Sequence, residues 1–144
     1  MPIHITEFTP HSSGKSITGG WRSGVWTEEV QAEYAGQFLR LSFGYPSIVS
    51  FNFWAFTDKN SWLEGAGLFD EEMHPKPIYY TLKRLITEEW TTKNLISTTN
   101  KKGNTQLRGF FGNYKIKVTV GEEHFIHNKT IEKSSNNQWI IQLN

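Results

Sequence analysis

Two stretches decide the fold: Pro2-Ile3-His4-Ile5-Thr6-Glu7-Phe8 and Phe53-Trp54-Ala55-Phe56-Thr57-Asp58-Lys59-Asn60-Ser61-Trp62. The first is a short β-type run, rich in Ile and Thr, that ends in a carboxylate. The second is the end of an aromatic strand, followed eight residues after Trp54 by another Trp. A carboxylate between indoles suits chemistry on sugars. It can attack or stabilise an oxocarbenium-like anomeric centre. Indole faces stack on the apolar faces of pyranose rings and exclude water.

Outward from Glu7, residues 9–26 hold Gly14, Gly19, Gly20 and Gly24 among several Ser and Thr, which reads as a long loop. Trp21 and Trp26 flank Arg22 within it, either to touch a sugar or to pack the loop on the body. Thr27 is a good N-cap, and Glu28 and Glu29 suit the positive end of a helix. The spacing of Val30, Tyr34, Phe38 and Leu41 predicts an amphipathic helix to about Phe43, broken by Gly44-Tyr45-Pro46-Ser47. Ile48 to Phe56 is a nearly continuous apolar run, as in a parallel strand covered on both faces. Residues 57–77 form a second long loop. Pro75 and Pro77 favour a helix start, and Ile78, Leu82, Leu85 and Ile86 give its stripe to about Trp90. The order strand, helix, strand, helix reads as a parallel βαβα unit.

Residues 1–90 resemble the C-terminal end of a family 10 glycoside hydrolase, the endo-1,4-β-xylanase family with a (β/α)8 barrel. The resemblance rests on Ile5-Thr6-Glu7, Trp54, Trp62, Gly67-Leu68-Phe69-Asp70 and Pro75-Lys76-Pro77-Ile78-Tyr79-Tyr80, in family-like order and spacing. It implies the last two βα units of that barrel. It also implies that Glu7 is the catalytic nucleophile on the seventh strand, with Trp54 and Trp62 as substrate-binding platforms beside the scissile bond. The implied substrate is β-1,4-linked xylan or xylo-oligosaccharide, and the implied parent is secreted. The sequence departs from the family at Phe8 and Thr9, where Leu and Asp are usual. Phe53 stands where relatives can carry a second Trp.

A retaining glycosidase uses two carboxyl groups about 5–5.5 Å apart. The family's acid/base Glu follows an Asn on the fourth strand, and the match here begins at residue 2. Candidate replacements are Glu64, Asp58, Glu28 and Glu33, of which Asp58 and Glu64 share the Trp62 loop.

The chain has 144 residues, while a complete barrel of this type needs about 200–250. Apolar residues make up 37% and aromatic residues 15%, enough for a packed core. Fifteen basic and fourteen acidic residues leave a charge of +1, so no nucleic acid partner is indicated. With no cysteine, disulfides and thiolate zinc sites are excluded. No apolar run is long enough for a membrane helix, and no signal peptide precedes Pro2. His4 and Glu7 should diverge by strand alternation, as should His124 and His127. Neither these nor His11 and His74 show metal spacing, so no metal and no cofactor are expected.

After Trp90 the pattern changes. Tyr114, Ile116, Val118 and Val120 alternate with Lys115, Lys117 and Thr119, a half-buried strand ended by Gly121. Gln106–Phe111, His124–His127, Thr130–Lys133 and Gln138–Leu143 are shorter strand candidates, giving a small antiparallel β-sheet or sandwich over 91–144. Leu107-Arg108-Gly109-Phe110-Phe111-Gly112-Asn113-Tyr114 is similar to a β module appended to some family 10 enzymes. Its role is either a cap or a ligand surface through Phe110, Phe111 and Trp139.

The fold class is therefore α/β plus β, divided at 1–90 and 91–144. Two function classes stand: a xylan hydrolase or piece of one, and a carbohydrate-binding or structural module without turnover. Two barrel strands leave open edges, so if the chain is stable without the rest of the barrel a second copy or the β module should supply cover, and a homo-oligomer is then expected.

Overall fold

A computed structural model describes residues 1–20, 22–133 and 135–143, so Trp21 lies outside the described residues. The chain divides into two compact units, Met1–Glu89 and Trp90–Asn144.

In the first unit, strand β1 (Ile3–Phe8) leads through a long loop to helix α1 (Glu28–Gly44), then to strand β2 (Ile48–Phe53). Helix α2 (Pro77–Arg84) follows the second loop and runs into a π-helical turn, Leu85–Glu89. The strands pair in parallel. β1 stops at Phe8 because Pro10 has no N–H to offer a ladder. β2 makes one more bond, from the Trp54 N–H to the Phe8 carbonyl at 3.2 Å, and leaves the ladder there. It is therefore shorter than the run to Phe56 suggested.

Helix α1 starts where Thr27 Oγ1 accepts the Val30 N–H at 3.3 Å. It covers one face of the strand pair with aromatic rings. Phe8 stacks on Phe38 with centroids 4.8 Å apart and meets Phe51 and Phe53 edge-on at 5.2 and 5.5 Å. The opposite face carries the His4 Nδ1–Ser50 Oγ hydrogen bond, 2.8 Å. The apolar run is thus covered on one face within this unit, not two.

The buried stripe of α1 also differs from the expected one. It is Gln31, Ala32, Ala35, Gly36, Leu39 and Ser42, while Leu41 is 68% exposed. Small residues let α2 approach closely, and a Cβ on Gly36 would lie 2.9 Å from Thr81 Cγ2. On α2, Ile78, Leu82 and Leu85 are buried as the spacing implied. Ile86 is 57% exposed, because the π turn widens the helix there and shifts its phase.

The second unit is built on an antiparallel hairpin, β3 (Gly112–Val120) and β4 (Glu123–Ile131). Gly121, at φ +61°, makes the turn. Tyr114, Ile116, Val118, Phe125, His127 and Ile131 share the half-buried face, and His124 lies on the other. The two short runs expected within 124–133 are one continuous strand. Gln106–Phe111 and Gln138–Leu143 form no strand. At Phe110, Thr92 Oγ1 takes the N–H and the Tyr114 hydroxyl binds the carbonyl. Ahead of Gln138, the Asn137 side chain bonds both the N–H and the carbonyl of Glu132. At Phe110, side chains satisfy backbone groups that a ladder would otherwise use, and the described residues of this unit hold a hairpin and not a sandwich.

Candidate active site

Glu7 sits one residue before the end of β1. Ile5 pairs with Phe51 and Phe8 with Phe53, so β1 carries one residue more than β2 over this interval, a bulge. The rings of Phe8, Phe51 and Phe53 are on the α1 side. Counting back from Phe8 puts Glu7 on the opposite side, with His4. Strict alternation would have separated them, and the inserted residue removes that separation. Trp54, next after Phe53, falls on the same side by the same count. The Trp54–Phe8 backbone bond holds the two positions at one end of the sheet.

The Glu7 carboxylate is exposed and has no hydrogen-bond or ion-pair partner among the described residues. Trp54 is 56% and Trp62 74% exposed. Neither indole packs on another ring among the described residues. Trp62 lies at the tip of the 58–67 loop. It lines a hollow of about 570 Å³ together with Glu28, Asp58, Asn60, Ser61 and Glu64, among others. Neither Glu7 nor Trp54 lines that hollow. Trp26 is a packing residue, with His11 at 5.0 Å and Tyr34 edge-on at 5.5 Å.

Beneath the Trp62 loop is a buried polar junction. Lys76 is 3% exposed. Its Nζ reaches Asp58 Oδ2 at 2.9 Å, Ser12 Oγ at 3.0 Å and the Gly65 carbonyl at 3.1 Å. Asp58 Oδ1 accepts the Gly67 N–H at 2.6 Å. The Gly65 carbonyl also takes the Ser12 N–H, the Ser12 hydroxyl and Gln31 Nε2, at 2.9, 3.0 and 2.8 Å. Gly65 has φ +68°, and a Cβ there would meet Ser12 Oγ at 2.7 Å. Asp58 is marked in the sequence by its place in the Trp62 loop, while Lys76, Gln31 and Ser12 carry no such mark. A lysine within Pro75-Lys76-Pro77 gives no local sign of burial.

Of the four candidate acids, Asp58 is held by Lys76 and Gly67, and Glu33 is paired with Arg22 and Gln37. Glu64 makes an exposed 3.7 Å pair with Lys15. Glu28 remains at the hollow. His74, read as having no metal spacing, falls with Asp70 and Glu72 in a group whose ligand atoms lie within 4.8 Å of one another. Asp70 Oδ1 accepts the N–H groups of Glu72 and His74, and Oδ2 meets His74 Nδ1 at 3.0 Å. Those bonds account for the cluster as a turn.

The sequence model of Glycosyl hydrolase family 10 matches residues 1–85. The chain belongs to this family. It is also 35% identical over 96 residues to Endo-1,4-beta-xylanase B of Thermotoga neapolitana, a match covering 62% of this chain and 26% of that protein. The chain thus spans about a quarter of the length of the curated relative it matches. A Beta-glucuronidase of Faecalibacterium prausnitzii is similar over 60% of this chain and 16% of its own, at 20% identity and a TM-score of 0.44. The family's barrel architecture accounts for parallel strands alternating with helices in residues 1–89. Among the described residues no helix is long and apolar enough to cross a membrane.

Proposed function

We propose that this chain is the nucleophile-bearing portion of a retaining endo-1,4-β-xylanase, with residues 1–90 as the last two βα units of a (β/α)8 barrel and 91–144 as an accessory β module. Glu7 attacks the anomeric carbon of a xylose unit while the leaving oxygen takes a proton from a second carboxyl group. Water then releases the sugar from Glu7, with that second group acting as base. Trp54 and Trp62 hold the rings by stacking. No group of this chain is assigned as the acid/base.

The observation that carries this reading is the Trp54–Phe8 backbone bond. It sets Trp54 beside Phe8, the residue after Glu7, at the C-terminal end of adjacent parallel strands, the end where such barrels build their sites. The polymer is met outside the cell, so the parent is exported. The remaining barrel strands, or a second copy, cover the open edges of β1 and β2. Light scattering that finds a monodisperse monomer would remove the second copy.

A specific observation favours a second reading, a sugar-binding module without turnover: Asp58 and Glu33, two of the four candidate acids, are held by a lysine and an arginine. Purified chain on xylan and on an aryl β-xyloside, with Glu7→Gln as control, separates the two. Turnover abolished by Glu7→Gln supports hydrolysis by this chain. Binding without turnover supports the module. Neither binding nor turnover sinks both for the chain alone.

A further inference from the structure

We propose that Lys76 is a positioning residue for Trp62, clamping both ends of the loop that carries it. The inference rests on the sugar-platform reading of Trp62 and adds what fixes the platform.

The loop from Asp58 to Gly67 is closed on itself by the Gly67 N–H and Asp58 Oδ1. Trp62 is midway along it and exposed, with no ring partner to hold it. A mobile indole loses affinity, because binding must then order both the side chain and its loop. Order has to come from the base of the loop, and there one ammonium binds each side: Asp58 Oδ2 before Trp62 and the Gly65 carbonyl after it. The third partner, Ser12 Oγ, belongs to the loop that follows Glu7. The same charge therefore ties the platform loop to the loop leaving the proposed nucleophile. A buried ammonium with all its protons directed at acceptors resists displacement, since removing one partner leaves an incompletely paired charge. The backbone leaves little room for an alternative, because a Cβ on Gly67 would lie 2.4 Å from the Asp58 nitrogen.

The test is fluorine NMR on the whole chain labelled with fluorotryptophan, with the Trp62 resonance identified by its loss in Trp62→Phe. The variants are Ser12→Ala, Asp58→Asn and Lys76→Met. The expected result is a shift or broadening of Trp62 that grows in that order, while Trp54 on the strand end and Trp139 in the second unit stay in place. A Trp62 signal that does not move, or moves only together with Trp54, overturns the proposal. If Lys76→Met fails to fold, Ser12→Ala and Asp58→Asn decide by the same criterion. A xylo-oligosaccharide titration of the same samples should show about tenfold weaker binding in Lys76→Met, the scale of re-ordering one side chain and its loop. Absence of binding by the unmutated chain defeats the platform reading and leaves the fluorine result to judge the clamp. Binding with an insensitive Trp62 defeats the clamp alone.

Discussion

Phe8 and Phe38 stack with their ring planes only 4° apart, and this contact joins the strand that carries Glu7 to helix α1. The Phe8 ring touches Tyr34, Phe38, Phe51 and Phe53, so it anchors the end of β1 from behind. Phe8→Ala should destabilise the first unit by about 3–5 kcal/mol, and Phe8→Leu by less than about 1.5 kcal/mol. Urea unfolding followed by circular dichroism checks both.

Glu7→Gln and Trp62→Ala should each leave stability within about 0.5 kcal/mol of the parent chain, because neither side chain has a partner to lose. A carboxylate retained for structure would behave otherwise. Thermal melts of the two variants beside the parent decide this, and a large drop for Glu7→Gln would count against a chemical role.

Gly67→Ala should cost about 1–3 kcal/mol, the usual range for forcing atoms into a packed site. The added Cβ would fall 2.4 Å from both the Asp58 nitrogen and the Thr57 carbonyl carbon. Gly19→Ala is the control: it has φ +78° and open space around it, so only backbone strain opposes it. Unfolding of both variants in urea should rank Gly67→Ala as the more damaging.

Stability should fall in two steps on acidification. The His11 imidazole is held below its ordinary pKa of 6.5, first by burial and then by the Lys15 charge. The Asp70 carboxyl is held below its ordinary 3.8, chiefly by the His74 N–H and against an opposing effect of burial. In both cases the unfolded chain takes up protons more readily. Each contribution is therefore complete above the ordinary value and is lost as pH falls through the lowered one. Melting temperature against pH should drop below 6.5 and again below 4.5, where Glu29, held low by its own backbone N–H and by the Thr27 hydroxyl, adds to Asp70. His11→Asn should flatten the first step, and Asp70→Asn should shrink the second without removing the share of Glu29.

Much of the architecture was legible locally. The Thr27 cap, the alternation of Tyr114, Ile116 and Val118, and the Pro77 helix start are signals carried within a few residues. The place of Glu7 near the end of β1 was legible in the short Ile- and Thr-containing run that holds it. What escaped depends on distant partners. The bulge that brings His4 and Glu7 to one face is a mismatch between two strands some forty residues apart, and β1 alone reads as regular. The unpaired run 106–111 has a strand-like pattern overridden by Thr92 and Tyr114, which take the N–H and the carbonyl of Phe110. The burial of Lys76 follows from Asp58, Ser12 and Gly65 arriving from two other segments.

The Gly65 carbonyl oxygen has two lone pairs and receives four donors. That surplus is a form of redundancy. Losing the Ser12 hydroxyl leaves the oxygen satisfied by the Ser12 N–H, Gln31 and Lys76, so its effect on this oxygen should be mild, while Gln31, fully buried, also holds the Pro10 carbonyl and should cost more. Lys76 has no such understudy, since no other cation reaches that oxygen or Asp58 among the described residues. Sequence drift at this crossing should therefore be tolerated at the Ser12 hydroxyl and resisted at Gln31 and at the charge.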